Sequence, residues 1–332
     1  MIWIPNENTD PAFNLAAEEV ILSSLNIKEE TLFFYINEPS IIIGRHQNTR
    51  EEINAEFVGE QRIRIVRRLS GGGAVYHDFG NLCYSFIYPF PDRLTPDFAL
   101  FTAPIVQALQ NLGVPAELSG RNDILVAGAK ISGNAYYHNR FGSVCHGTLL
   151  FDSDMGMLER ALRPKPEKIE RKGVRSVRSR VTNLKDYLPD IKDVKELRQA
   201  ILYSISRTQP DFKEFRLEEN DILKIESLAE SRYRSDRWNF GKSPKYNYRV
   251  CRQFSFGEVD ARLWVEDNRI REIRFFGDFF SSEDPDSFSE KLIGIPFESQ
   301  AIAQVAQQSD IEKLFPGISA FEFADFLTGK RS

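Results

Sequence analysis

Arg67-Arg68-Leu69-Ser70-Gly71-Gly72-Gly73-Ala74-Val75-Tyr76-His77-Asp78 is the stretch best suited to chemistry. Three successive glycines let a backbone adopt angles closed to other residues and come close to a ligand. Their N–H groups can form a concave nest that holds an anion without any side chain. Arg68 adds a permanent positive charge whose planar fork suits phosphate or carboxylate. No Gly-Lys-Ser/Thr follows and the run is not GxGxxG, so neither common nucleotide fingerprint applies. Taken alone, the run serves equally as a ligand loop or as a tight turn that needs small residues.

A second stretch, Ser119-Gly120-Arg121-Asn122-Asp123 through Lys130-Ile131-Ser132-Gly133-Asn134-Ala135, places Lys130 among small and apolar residues. Lysine is usually solvated. Held in such a place it needs an anionic partner, either a protein carboxylate or a ligand; the alternative is an edge-strand lysine that reaches solvent. The pair Cys145-His146 invites a thiol-nucleophile reading, but neighbours on a strand point to opposite faces and cannot act on one another. Cys145 is expected to be a small core residue. The four histidines, His46, His77, His138 and His146, are dispersed, and no HExxH or CxxC spacing suggests a metal site.

These segments need elements to position them. Asp10-Pro11 followed by Phe13, Ala17, Val20, Ile21 and Leu25 reads as a capped amphipathic helix. Thr31–Ile36 and Ile41–Gly44 read as two strands joined by the turn Asn37-Glu38-Pro39-Ser40. Arg62–Arg67 alternates charged and apolar residues in the manner of a half-buried strand that runs into the glycines, and another strand follows at Leu82–Tyr88. Asp97 opens a second helix ending at Gly113, with strands expected at Asp123–Ala127, Lys130–Ser132 and Val144–Phe151. Val194–Ser206 reads as helix, and a polar region then reaches Trp238. Trp238–Pro244 has the composition of a linker with aromatic anchors. Tyr248–Phe276 alternates as strands around a turn at Glu266-Asp267-Asn268, and Asp286–Leu327 reads as helical. The predicted class is α+β: a large catalytic domain of mixed β-sheets and packed helices at 1–245, and a small C-terminal α+β accessory domain at 246–332.

The chain has 332 residues, 42% hydrophobic and 27% charged, the balance of a globular protein. No apolar run approaches the roughly 20 residues needed to cross a bilayer, and the N-terminus lacks the regions of a signal peptide. Three widely spaced cysteines, Cys83, Cys145 and Cys251, do not make a disulfide framework. A cytoplasmic protein is expected, with no membrane or nucleic-acid partner. Charge is uneven. From Arg160 to Arg180 nine basic residues stand against Glu167 and Glu170, a local charge of +7, which leaves −12 for the rest of a chain whose formal total is −5. Such a segment is either a solvated surface loop or a site for a local anion, a nucleotide phosphate or an acidic protein.

Taken together the segments resemble the lipoate–protein ligase A family of the biotin/lipoate ligase superfamily. The resemblance rests on Arg68 with Ser70–Asp78, Gly120-Arg121-Asn122-Asp123, Lys130-Ile131-Ser132-Gly133, His146-Gly147-Thr148-Leu149-Leu150, Lys172–Val181 and Trp238-Asn239-Phe240-Gly241. One glycine run is weak evidence, whereas six motifs in the family's order across most of the chain are strong. The resemblance implies an enzyme that activates lipoate with ATP to lipoyl-AMP and transfers the lipoyl group to an acceptor lysine. It implies ATP-binding roles for Arg68, Ser70, Gly71, Gly72, Gly73, Ala74, Val75, Tyr76, His77 and Lys130. Lipoate contacts fall to Gly72, Gly73 and Lys130, and an adenylate-binding loop to Gly173, Val174, Arg175, Ser176 and Arg178. Lys130 is implied to be the central catalytic residue, contacting both the lipoyl carboxyl and the α-phosphate.

That assignment has a chemical rationale. A carboxylate is a poor electrophile and is repelled by the phosphate it must attack; an ammonium between them offsets the repulsion. Mg²⁺, carried largely by the triphosphate, would neutralise the leaving pyrophosphate. Asp123 is expected to orient either that Mg²⁺ or the acceptor amine. Closure of the Glu170–Arg180 region would protect the mixed anhydride from water. The apolar lipoyl chain calls for a narrow pocket, with Asn14, Leu15, Arg45, His46 and Val75 as wall or mouth positions. The implied acceptors are the E2 subunits of 2-oxoacid dehydrogenases or the glycine-cleavage H protein. Three rivals differ. An octanoyltransferase of the superfamily needs a nucleophilic cysteine, absent from Gly120–Leu125. A biotin ligase usually carries Gly-Arg-Gly. Intact Arg68, Gly71–Gly73, Asp123 and Lys130 argue against a non-catalytic binding regulator.

Overall fold

The computed structural model describes residues 1–90, 97–120, 122–162, 181–241, 246–281 and 283–329. Its class is α+β, and the chain forms two compact units. One comprises 1–43, 49–67 and 74–239; the other comprises 44–48, 68–73 and 240–332.

The strands are β1 (Ile2–Ile4), β2 (Thr31–Tyr35), β3 (Ser40–Ile43), β4 (Arg64–Arg67), β5 (Val75–His77), β6 (Asn81–Tyr88), β7 (Ala116–Ser119), β8 (Asp123–Val126), β9 (Ala129–Asn139), β10 (Gly142–Leu150), β11 (Lys213–Glu214), β12 (Tyr248–Phe254), β13 (Gly257–Glu266) and β14 (Arg269–Gly277). In the first unit an eight-stranded sheet runs β11-β1-β2-β6-β10-β9-β8-β7, and a second sheet runs β4-β3-β5. The large sheet is antiparallel from β2 to β7 and parallel at β1 with β2 and β11.

Helices cover both faces of the large sheet. Helix Pro11–Ser23 begins where Asp10 accepts the N–H of Ala12 and Pro11 fixes the first turn. It packs on β6 and β10 on one face, and Glu219–Leu228 with the π-helical turn Ala229–Tyr233 lies against it. Helix Phe98–Asn111, capped by Asp97, occupies the other face together with Val194–Thr208. There Phe101 meets the rings of Tyr88 and Tyr136.

The second unit contains the sheet β12-β13-β14. Val259, Ala261, Leu263, Ile273 and Phe275 point to one face. Helices Pro285–Leu292, Ser299–Gln308, Ile311–Leu314 and Ala320–Leu327 belong to this unit, and Phe275, Phe315 and Phe323 form an aromatic cluster in its core.

Several sequence expectations change. Helix Pro11–Ser23 is buried nearly all round, polar Asn14 and Glu18 included. The strands expected at 31–36 and 41–44 form, as β2 and β3, but join different sheets. The polar region before Trp238 is largely helical. Its pattern is obscured because Ile222 and Leu223 are exposed while Ile225 is buried. Trp238 and Asn239 are no linker: they close helix Asp236–Asn239, where the indole donates to the Arg67 carbonyl and the Asn239 side chain accepts the Arg67 N–H. Among the described residues no helix is long and apolar enough to cross a membrane.

Candidate active site

Asp123 and Lys130 stand at the centre of the first unit's candidate chemistry. They lie on the β8–β9 hairpin, whose register places Lys130 opposite Leu125 and Asp123 opposite Gly133, with a bulge between. Both side chains therefore project from the same face. The Lys130 ammonium meets the Asp123 carboxylate at 2.8 Å, with the side chains 34% and 38% exposed. This protein carboxylate answers the need for an anion raised by the sequence, and the pair stays open to solvent.

The surrounding motif residues lock the hairpin. The Asn134 side chain donates to the Asn122 carbonyl at 3.0 Å and the Asn122 side chain donates to the Asn134 carbonyl. Tyr84 on β6 donates its hydroxyl to Asn134 Oδ1 at 2.5 Å. Gly147 on β10 makes this possible, because a Cβ there would lie 2.2 Å from Asn134 Oδ1 and 2.6 Å from the Tyr84 ring. Thr148 accepts the Gly133 N–H at 3.3 Å.

Gly173, Val174, Arg175, Ser176 and Arg178 lie outside the described residues, as does Arg121. The flanks of the basic segment are defined. Leu162 pairs with Ile53, and the Asn54 N–H bonds the Ala161 carbonyl at 2.9 Å. Val181 forms a parallel bridge with Lys130, and the Thr182 N–H bonds the Lys130 carbonyl at 2.9 Å. The residues that follow the segment thus lie against the backbone of Lys130.

Val75, Tyr76 and His77 form β5 beside β3. Burial, then Asp78 and Asp154, pushes the Tyr76 hydroxyl up to about 12. His77 is fixed by an amide chain: Asn14 donates to Asn37 Oδ1 at 2.8 Å, so the amide nitrogen of Asn37 faces His77 Nδ1 at 2.9 Å. Nδ1 is then the acceptor, and its proton resides on Nε2. Asn14 and Leu15 are both buried.

The sequence reading missed Glu18. Only 2% exposed, its carboxylate accepts from Tyr35 at 3.0 Å, from His146 Nδ1 at 2.9 Å and from Ser85. The signal was Asn14 and Glu18 at helical spacing within a run that, Glu19 and the final serine apart, is apolar. Cys145, next to His146, is fully buried, and burial followed by the Glu18 charge pushes its thiol well up. It is the core residue expected, not a nucleophile.

Arg68, Ser70, Gly71, Gly72 and Gly73 belong to the second unit, with the loop 44–48 and the β13–β14 region. Gly71 abuts the Phe279 carbonyl, where an added Cβ would sit 2.0 Å from the oxygen, and Gly44 abuts the Gly72 carbonyl in the same way. Gly72 has φ +90°. His46 stacks on Phe279 at 4.6 Å, and Arg45 bonds Asp284 at 3.0 Å. Arg68 braces the loop. Its guanidinium donates to Ser70 Oγ at 2.9 Å and to the carbonyls of Gly71 and Gly73 at 2.7 and 2.8 Å. In a trans peptide the N–H opposes the preceding C=O. Carbonyls turned toward Arg68 therefore turn the N–H groups of Gly72 and Ala74 the other way, as a nest requires. Gly73 has no neighbour within 4 Å of an added Cβ among the described residues, so packing does not require glycine there.

Among the described residues no three His, Cys, Asp or Glu side chains converge as metal ligands.

Family models and known proteins match this chain over most of its length. Residues 10–206 match the model of the lipoyl protein ligase A/B catalytic domain, and residues 243–327 match the bacterial lipoate protein ligase C-terminus. Lipoate-protein ligase LplJ of Bacillus subtilis is 43% identical, over 98% of this chain and 100% of its own. The crystal structure of P. falciparum LipL1 in complex with lipoate shares the fold, with a TM-score of 0.76 and 24% identity over 93% of this chain and 94% of that one. A lipoate-protein ligase A structure bound with ATP matches with a TM-score of 0.61 and 28% identity, over 72% of this chain and 98% of the other. With both family domains present and a relative matched from end to end, the chain belongs to the lipoate–protein ligase family.

Proposed function

We propose that this ligase uses ATP to convert lipoate to lipoyl-AMP with release of pyrophosphate, then passes the lipoyl group to the ε-amino group of a lysine on an acceptor protein. The observation that carries the assignment of the site is the Asp123–Lys130 pair. Its ammonium is held at a defined point by a hairpin locked from three sides, yet it remains open to solvent.

Lys130 bridges the lipoate carboxylate and the α-phosphate, offsets their mutual repulsion and stabilises charge as the acyl–phosphate bond forms. Asp123 keeps the ammonium in place until those anions arrive. Asp123 would contribute a carboxylate to the Mg²⁺ that accompanies ATP, an ion held mainly by substrate phosphates and water. The amides of Gly72 and Ala74 receive phosphate, Arg68 fixes that loop and lends it positive charge, and the open flank of Gly73 lets a ligand approach the backbone. Val75, Tyr76 and His77 continue the nucleotide-binding stretch. The +7 segment, through Gly173, Val174, Arg175, Ser176 and Arg178, holds the adenylate; its C-terminal end joins the Lys130 strand at Val181.

The catalytic domain is taken as 1–245 and the accessory domain as 246–332. The acceptors are lipoyl domains of E2 subunits or the glycine-cleavage H protein, and the compartment is the cytoplasm. An acyl transfer through cysteine is disfavoured, since the thiols of Cys83 and Cys145 are buried and raised by that burial.

The test is incubation with lipoate and Mg·ATP without acceptor, Lys130→Ala in parallel. Lipoyl-AMP and pyrophosphate should form with the wild type and fail with the variant. Transfer of an octanoyl group from its carrier protein without ATP would instead establish the transferase.

A further inference from the structure

The missing side chain of Gly133 is explained by Lys130. Its backbone angles are open to any residue, since its φ is not among the positive values of this chain. A Cβ built at Gly133 would lie 2.8 Å from the Lys130 ammonium nitrogen and 3.0 Å from Lys130 Cε. Apart from its chain neighbours, no other heavy atom of the described residues lies within 4 Å of that point. The bulge between β8 and β9 sets this arrangement, because it places Lys130 opposite Leu125 while Gly133 stays opposite Asp123, so that two residues three apart share a face. The lysine side chain crosses the bare α-carbon of Gly133 to reach the carboxylate beyond it.

We propose that Gly133 is a positioning residue for the Lys130 ammonium, the missing side chain being the channel through which that group reaches its working place. The proposal rests on the assignment of Lys130 to the adenylation step. An added methyl would push the ammonium away by roughly 1 Å, the gap between 2.8 Å and an ordinary contact. The pair with Asp123 and the bridge to carboxylate and phosphate would both be lost. The fold would not suffer, because the displaced atom is the end of a flexible, solvent-facing side chain.

The test is a double-mutant cycle on binding of a non-hydrolysable lipoyl-adenylate mimic, measured by calorimetry, together with the rate of lipoyl-AMP formation. Gly133→Ala should melt as the wild type does. It should lower kcat by about a hundredfold, and weaken the mimic about tenfold, as loss of one charge-assisted contact does. In the Lys130→Ala background the same change should do nothing further to affinity, since the ammonium it displaces is gone. Equal weakening in both backgrounds would overturn the proposal by showing a general distortion of the hairpin, as would wild-type kcat and affinity in Gly133→Ala. If the wild type neither binds the mimic nor forms lipoyl-AMP, the functional assignment itself fails, a result distinct from either.

Discussion

Asn122 and Asn134 hold each other's main chain across the β8–β9 hairpin, each side-chain amide donating to the other's carbonyl, next to a backbone bond from the Asn134 N–H to the Asn122 carbonyl at 2.9 Å. The lock lies one residue from Asp123 on one strand and one residue from Gly133 on the other, so it fixes the register on which the Asp123–Lys130 pair depends. Asn134→Ala removes one of these bonds, the one its side chain donates, and leaves the buried Tyr84 hydroxyl without its 2.5 Å acceptor. Urea denaturation should show a loss of about 1–3 kcal/mol. Adenylate formation should fall as well, since the carboxylate and ammonium lose their common frame. An unchanged rate in a destabilised variant would separate the lock from the chemistry.

Two glycines of the loop, Gly71 and Gly73, should respond differently to alanine. At Gly71 the methyl would meet the Phe279 carbonyl at 2.0 Å, backbone against backbone, so Gly71→Ala should cost about 1–3 kcal/mol or more. At Gly73 it meets nothing among the described residues, so Gly73→Ala should leave the melting temperature unchanged and weaken ATP binding in titration. If Gly73→Ala binds ATP as tightly as the wild type, no ligand approaches the backbone there.

Local pattern revealed the strand–glycine junction, the capped first helix and the isolated lysine, because each depends on neighbours within a few residues. The partners were not legible. That Lys130 pairs with Asp123 follows from a hairpin register with a bulge, which periodicity alone cannot supply. That Arg68 bonds loop carbonyls could not be told from a phosphate role, since both use the same guanidinium. Trp238 and Asn239 looked like linker because what fixes them is Arg67, 171 and 172 residues away in sequence. The burial of Glu18 was hidden for the opposite reason: a charged residue in a helix reads as solvated face unless its position on the wheel is weighed.

Glu18 is heavily engaged, accepting hydrogen bonds from a tyrosine, a serine and a histidine where water is excluded. Because a carboxylate only accepts, His146 carries a proton on Nδ1. Glu18→Leu matches the apolar neighbours but leaves those donors buried and unmatched, at about 1–3 kcal/mol for each. Glu18→Gln keeps one acceptor oxygen and should lose less. Chemical denaturation of the two variants should rank leucine below glutamine. The reverse order would mean that the carboxylate contributes nothing beyond its volume.

In the second unit Asp260 is fully buried and held by Arg249 at 2.9 Å and Arg262 at 2.8 Å. Burial alone would raise its carboxyl, but the bonds from the two arginines and their charges outweigh it and bring the group below its ordinary value. A folded-state value below the unfolded one gives stability that is fully present above the ordinary carboxylate range, near 3.9, and disappears as pH falls through the lower folded value. Asp78 in the first unit has the opposite sign. Burial raises it, so its ionised form is the one that folding disfavours, and acid relieves rather than removes its contribution. Acid unfolding followed from pH 7 to 2 should therefore be shallower in Asp260→Asn than in the wild type over the last part of the range. The variant should start lower, by about 3–5 kcal/mol at neutral pH, because the buried ion pair of Asp260 with Arg262 is broken. Parallel acid limbs in the two proteins would mean that Asp260 does not titrate there, and its pairing with the arginines would no longer explain the acid sensitivity of this unit.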